Sequence, residues 1–319
     1  MVFAMIVIGA ITRLTESGLS IAEWKPLIGA IPPLDEAEWN RLFSLYQQTP
    51  EFQKKNFWME LPDFKTIFFW EWLHRLWGRL IGLVFTLPLV FFWMKRQISA
   101  RLACKLLALL FLGALQGFMG WYMVQSGLVD LPAVSPFRLA AHLTLALLIY
   151  SFLLWFAMPG LSLPAHPQKA LHIHGWCVMG FVVLTILWGA FTAGLDAGLV
   201  YNETFPQMGG QWVPPDFWKF SGLFENLLHN HPAVQFMHRW LALSTTGVTL
   251  SFWLHGAIKG HRFRALDCCM GMVFLQVALG ITTLLSGVLI PVAVAHQGGA
   301  VMLLSVLVLC QYQTHPARL

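Results

Sequence analysis

The sequence predicts an all-α membrane protein of eight transmembrane helices. They form two tandem four-helix units related by a pseudo-twofold axis along the membrane normal. Composition, the run of apolar segments and an internal duplication point there. Of 319 residues, 57% are apolar or aromatic and 11% charged, about half the charged share of an ordinary soluble domain. Mean hydropathy is +0.63. Apolar segments fall at 66–94, 102–124, 138–158, 171–193, 233–258, 265–289 and 290–312, each near the roughly 20 residues that cross a hydrocarbon core. Spans of this kind are helices, because a helix satisfies its own backbone groups without water.

The halves repeat in chain order. Gly9-Ala10-Ile11-Thr12 answers Gly189-Ala190-Phe191-Thr192, Ser17-Gly18-Leu19 answers Ala197-Gly198-Leu199, Glu23 answers Glu203 and Pro26 answers Pro206, all at an offset of 180. Pro32-Pro33 answers Pro214-Pro215, and His74-Arg75 answers His238-Arg239. Gln116, Gly120, Ser126 and Gly127 answer Gln276, Gly280, Ser286 and Gly287 at an offset of 160, and His142 answers His296. Several coincidences in order, with the offset shrinking where loops differ, read as a duplication. The expected units are 1–158 and 159–319.

Taken in order, residues 1–12 are apolar but too few to cross, whereas their repeat partner 171–193 is full length. The chain is therefore expected to begin upstream of Met1, or this start to be miscalled. A cleaved signal peptide fits less well, since no basic region precedes the stretch and no cleavage pattern follows. In the long connection after it, Asp35 reads as an N-cap with Glu38 three residues on. Trp39, Leu42, Phe43 and Tyr46 then share one helical face, so a short amphipathic helix either caps a site, lies on the outer surface or packs on the loop alone. Trp24, Trp39, Trp58, Trp212 and Trp218 suit interfacial anchoring. Gly18, Gly29, Gly209 and Gly210 read as turns.

Orientation follows the bases in the connections. Lys95, Arg96, Arg101 and Lys105 follow the second span, Lys169 the fourth, Lys259, Arg262 and Arg264 the sixth, and Arg318 lies in the tail. These face the cytoplasm. Connections 13–65 and 194–232 carry more acids than bases and face outward. Both termini are then cytoplasmic and the chain resides in a bacterial inner membrane. The net charge of +5 reflects this bias, so no nucleic-acid partner is expected. Cys104, Cys177, Cys268, Cys269 and Cys310 all lie toward the cytoplasmic side, which leaves no structural disulfide on the oxidising side. No CxxC or CxxCH occurs, which excludes covalent haem attachment of the c type.

Four histidines carry the functional reading. His74, His142, His238 and His296 sit one on each even-numbered helix, at similar depth near the outward ends. A lone intramembrane histidine is as readily a hydrogen-bonded helix contact as a ligand. Four at matched depth need partners, because a bare polar ring in lipid is costly. The pairs His74–His142 and His238–His296 read as two bis-imidazole sites. Zinc would want three or four grouped donors, whereas two histidines from separate helices suit haem iron. Arg75 and Arg239 either pair with haem propionates or snorkel to the interface. His166, His172, His174, His255, His261 and His315 cluster toward the cytoplasmic side, and His229 and His231 lie in an outward loop; neither group fits ligation as well.

The halves differ at one polar position. Glu71 lies one turn before His74, and its equivalent is Gln235. An intramembrane carboxylate is usually functional, and an amide there moves no proton. The first half is expected to carry proton-coupled chemistry at Glu71, unless Glu71 only pairs with Arg75 or a loop base, and the second to hold a haem that stores or passes electrons.

The stretch Ala10-Ile11-Thr12-Arg13-Leu14-Thr15-Glu16-Ser17-Gly18-Leu19-Ser20, continued by Ile21-Ala22-Glu23-Trp24-Lys25-Pro26, resembles the haem A synthase family. So do Glu71-Trp72-Leu73-His74-Arg75 and the other three histidines. The resemblance covers nearly the whole chain and is to the mitochondrial and proteobacterial branch, which lacks the loop cysteine pairs of the other branch. It implies an oxidoreductase of cytochrome oxidase cofactor biosynthesis. Two successive hydroxylations act on the C8 methyl of haem O, and the geminal diol loses water to leave the formyl group of haem A. It implies that His238 and His296 are axial ligands of a resident haem b, that His74 and His142 hold the substrate haem, and that Glu71 is the catalytic carboxylate. Haem O synthase, an unidentified electron carrier and the lipid membrane are the implied partners, and homo-oligomerisation stays open. A di-haem b-type electron-transfer cytochrome explains the histidines but not Glu71. A transporter explains the duplication but not polar groups gathered toward one face.

Overall fold

The structure, a computed structural model, describes residues 1–23, 28–128 and 132–318. Trp24 and Pro26, named above as an anchor and a repeat match, lie outside the described residues with Lys25, as does the side chain of Arg318. Among the described residues the chain is helical, with α1 (Val2–Leu14), α2 (Glu36–Tyr46), α3 (Leu61–Met94), α4 (Ala100–Gln125), α5 (Pro136–Ala157), α6 (Lys169–Gly194), α7 (Leu223–His229), α8 (His231–Ile258), α9 (Arg264–Leu285) and α10 (Ile290–Thr314). Seven of these are long and apolar enough to cross a membrane, and α1 is a shorter apolar helix. The protein is an all-α membrane protein. The chain divides into two compact units, Met1–Ile149 and Tyr150–Leu319, the division falling inside α5.

The seven long helices cover the apolar segments read from the sequence. The largest departure is at α3, which starts at Leu61 rather than near 66. Glu60 caps it with Asp63 in a reciprocal box, and Pro62 sits in the first turn, where its missing N–H leaves no gap. At 34 residues α3 is about 50 Å long, well beyond a hydrocarbon core of about 30 Å. Its first turns therefore stand in the loop region, and His74 lies more than two turns from the helix start. His142, His238 and His296 each lie about two turns from theirs.

The overhang has a packing partner. Asp35 Oδ1 accepts the Glu38 amide at 2.8 Å and starts α2. Tyr46, Phe64, Ile67 and Phe68 then form a buried aromatic cluster, with Trp39, Leu42, Phe43, Phe52 and Trp72 around it. Trp39 and Phe68 meet edge to face at 5.0 Å, and Tyr46 stacks on Phe64 at 5.2 Å. The amphipathic face of α2 thus caps the start of α3 rather than lying on a lipid surface.

Candidate functional site

In the second unit, His238 on α8 and His296 on α10 face each other, with ring centroids 6.4 Å apart and planes at 82°. A metal–nitrogen bond of about 2 Å on each side, plus roughly 1 Å from each nitrogen to its ring centroid, would come to about 6 Å, a separation of the same size. The Nδ1 edge of each ring is held. Thr185 O lies 3.1 Å from His238 Nδ1, and Gln276 Nε2 lies 3.1 Å from His296 Nδ1 while also donating to His296 O at 2.7 Å. Such a partner on one ring nitrogen fixes the ring and leaves the other edge for a ligand.

The rings also lie against glycines. A Cβ on Gly189 of α6 would stand 3.0 Å from His238 Cε1, and one on Gly280 of α9 would stand 2.9 Å from His296 Cε1. The first unit repeats this. A Cβ on Gly9 of α1 would meet His74 at 3.1 Å, and one on Gly120 of α4 would meet His142 at 3.2 Å. Gln116 Nε2 lies 3.2 Å from each ring nitrogen of His142 and donates to its carbonyl at 3.1 Å, the counterpart of Gln276. His74 and His142 are within electrostatic reach of each other. His74 Nδ1 is buried without a hydrogen-bond partner, a condition that ligation elsewhere on the ring does not worsen and that a bound group can relieve.

Among the described residues no group of three or more His, Cys, Asp or Glu gathers that could hold a metal. The donor set is two imidazoles per unit, framed by glycines that let the rings approach a neighbouring helix. This set fits haem iron, not a structural zinc. Other histidines of the second unit pair otherwise: His174 Nδ1 with His255 Nδ1 at 3.2 Å, His172 Nδ1 with Thr314 at 3.2 Å, and His166 stacked on Phe263.

Beside the first pair, Glu71 is 3% exposed. Its Oε2 accepts Ser20 Oγ and the Ile21 amide, each at 2.7 Å, and its Oε1 accepts Arg75 at 2.7 Å. Arg75 also donates to the carbonyls of Ile21 and Glu23. The expected pairing of Glu71 with Arg75 is present, and the loop adds two further donors. In the second unit Gln235 is 2% exposed. Its Oε1 accepts Arg239 at 2.9 Å, while its Nε2 donates to the carbonyls of Ala197 and Val200. Arg239 reaches the carbonyls of Tyr201, Thr204 and Gln207. The two straps correspond at two points: Ile21 O accepts from Arg75 as Tyr201 O does from Arg239, and the strap turns at Glu16 and at Asp196, both with φ of 51°. Each arginine donates both to loop carbonyls and to the side chain one turn before it on its own helix. Arg239, 6% exposed, is a buried anchor of its strap and not a snorkelling side chain.

Sequence reading missed Gly9, Gly120, Gly189, Gly280, Gln116, Gln276 and Thr185 as site residues. Six of the seven stood in the repeat matches, and their recurrence on the helices neighbouring the histidines was the signal.

Residues 1–308 match the family model described as cytochrome oxidase assembly protein. The chain is 53% identical to the "Heme A synthase" of Rhodospirillum centenum over 316 residues, covering 97% of this chain and 84% of the relative. It is 48% identical to that of Granulibacter bethesdensis over 311 residues, with 96% and 82% covered. It is 45% identical to that of Nitrosospira multiformis over 311 residues, with 95% and 87% covered.

Proposed function

Because the chain belongs to the haem A synthase family, we propose that it converts haem O to haem A, oxidising the C8 methyl to a formyl group by two successive hydroxylations and loss of water. The observation that carries this reading is the exchange of Glu71 for Gln235, one turn before His74 on α3 and His238 on α8, beneath two matching arginine-anchored straps. Two equal haem frames with one carboxylate suit one reacting haem and one that does not react.

On this reading His74 and His142 hold the substrate haem in unit 1–158, and His238 and His296 hold haem b in unit 159–319. Haem b, when bound, supplies a one-electron store. The protein's own part is orientation and proton handling. Gly9 and Gly120 let the two rings of the substrate site sit close to α1 and α4, and Gln116 keeps the His142 ring from turning. Ser20, Ile21 and Arg75 aim three donors at Glu71 and keep its carboxylate in one place. Glu71 then takes a proton released as the methyl carbon is oxidised. In the second unit Gln235 holds the strap but exchanges no proton.

The membrane arrangement is part of the proposal. Counting α1 gives eight crossings, two units related by a pseudo-twofold along the membrane normal, both termini cytoplasmic and residence in the bacterial inner membrane. Lys95, Arg96, Arg101, Lys259, Arg262 and Arg264 support that orientation. Haem O synthase as donor, a separate electron carrier and self-association are its proposed partners.

The test is to purify the protein from cells that make haem O, extract its non-covalent haems and separate them. Haem B with haem O and haem A supports a synthase holding one cofactor and one substrate. Haem B alone, with no conversion, overturns the reading in favour of an electron-transfer cytochrome.

A further inference from the structure

The first unit contains a segment that the second lacks. The repeat offset is 182 at Pro33–Pro215 and 164 at His74–His238, so 18 extra residues lie between Pro33 and His74. The extra stretch falls where α2 and the following π turn Phe52–Asn56 are found. Among the described residues this cap belongs to the unit that has Glu71. It buries a second carboxylate, Glu51, which is 3% exposed. Glu51 Oε2 accepts the Tyr46 hydroxyl at 3.0 Å, and Asn56 Nδ2 donates to that hydroxyl at 2.8 Å. The Tyr46 hydroxyl gives this carboxyl one partner, and a carboxyl so deeply buried is also a functional candidate.

The strap runs from Glu71 to the π turn that follows Glu51. Its Ser20–Ile21 end touches Glu71, and its Glu16 end meets Lys55 at 3.2 Å. Lys55 lies on the π turn, one turn beyond Glu51. The charged and titratable groups that act on Glu51 are Tyr46, Glu71, Glu16 and Lys55. Burial above all, with the charges of Glu71 and Glu16 adding to it, raises the Glu51 carboxyl from 4.5 to about 7, against the opposing Tyr46 hydrogen bond and Lys55.

We propose that Glu51 is the proton partner of Glu71, a positioning residue that receives the proton Glu71 takes up and passes it by the Glu16–Lys55 rim to water on the loop-bearing side. The transfer moves one proton at a time and no electrons: Glu71 returns to the carboxylate as Glu51 becomes the acid, and Glu51 is reset by loss of that proton to water. The inference rests on the proposed function, since it gives Glu71 a proton to dispose of.

The test compares the whole protein with E51Q, E51D and Y46F in two readouts. The first is the pH-difference infrared spectrum, in which a buried carboxylic acid gives its own band. The expected result is a band that titrates near pH 7 in the wild type, vanishes in E51Q and moves to higher pH in Y46F, because the hydroxyl that favours the carboxylate is gone. The second is the pH profile of haem O conversion. Wild-type turnover should fall as pH drops through about 7, E51D should keep that limb, and E51Q should lose it along with roughly tenfold in kcat while KM holds. A wild-type pH profile and rate in E51Q overturn the inference, as does the absence of a titrating band from the wild type. Wild-type protein that makes no haem A overturns the proposed function, and with it this role. If E51Q fails to fold, Y46F decides: no shift of the band or of the pH limb overturns the role.

Discussion

The strap over Glu71 and the strap over Gln235 share a backbone turn, an arginine anchor and a position beside a histidine pair, yet their hydrogen bonds run in opposite directions. In the first unit the loop donates, through Ser20 Oγ and the Ile21 amide, to a carboxylate. In the second the loop accepts, through Ala197 O and Val200 O, from an amide. The residue equivalent to Ser20 is Val200, which has no hydroxyl to offer. Acid and amide are nearly isosteric, so the helices need not differ. What differs is the polarity of the loop presented to them. A duplicated frame has thus been given two chemical characters by one change on the helix and a matching change in the strap. Neither change would be stable alone, because each buried polar group needs a partner of the opposite kind.

The largest effect is expected at the second histidine pair. His238→Leu should abolish the b-type absorption spectrum, since α8 then offers no ring to the gap facing His296. A full b-type spectrum in that variant would falsify the ligand assignment. Next in size, Gln235→Glu places a carboxylate against two carbonyls and removes both amide donors, with only Arg239 left to compensate. The expected loss is roughly 3 kcal/mol of stability, read as a lower unfolding temperature of the second unit with earlier release of haem b. Unchanged thermal unfolding would mean that the strap polarity is not what sets the residue. The glycine contacts sharpen the comparison at a finer scale. Gly280→Ala, whose Cβ would stand 2.9 Å from His296, should turn the ring and weaken haem retention by roughly tenfold, about 1–2 kcal/mol of overpacking. Gly120→Ala, at 3.2 Å from His142, should weaken the first site less. Haem content per protein after gel filtration checks both, and equal retention in all three proteins would show that the glycines are only spacers.

A pH effect on the cap follows from Glu51. A carboxyl whose pKa is higher in the folded than in the unfolded chain favours the fold below its unfolded value, and that contribution is lost as pH rises through the folded value. The cap should therefore be firmest below about 4.5 and loosen as pH passes about 7. Amide exchange over α2 should be slower at about pH 5 than at about pH 8 after correction for intrinsic rates, and E51Q should remove the difference.

The spans were legible because lipid demands unbroken apolar runs, and α2 because Asp35 and four aromatic or apolar residues at helical spacing announce a capped amphipathic helix. The start of α3 was not. Residues 61–65 include polar and charged side chains, and only the Glu60–Asp63 box and the aromatic cluster draw the helix out of the membrane to meet α2. The four histidines and the Glu71–Gln235 exchange were visible in the repeat. The destinations of Arg75 and Arg239 were not, because loop carbonyls leave no mark in a sequence. The same holds for the glycines under the histidine rings, whose contribution is an absent side chain. The extra cap showed itself only as a shift in repeat offset, and its link to Glu71 needed the folded strap.

On the proposed function, one carboxylate tells the matched frames apart. Its most direct test is Glu71→Gln, produced with haem O in the cell and followed by extraction and separation of the bound haems. Haem B and haem O should stay at wild-type levels, with haem A reduced roughly a hundredfold or more. Haem A at wild-type abundance in that variant would contradict it.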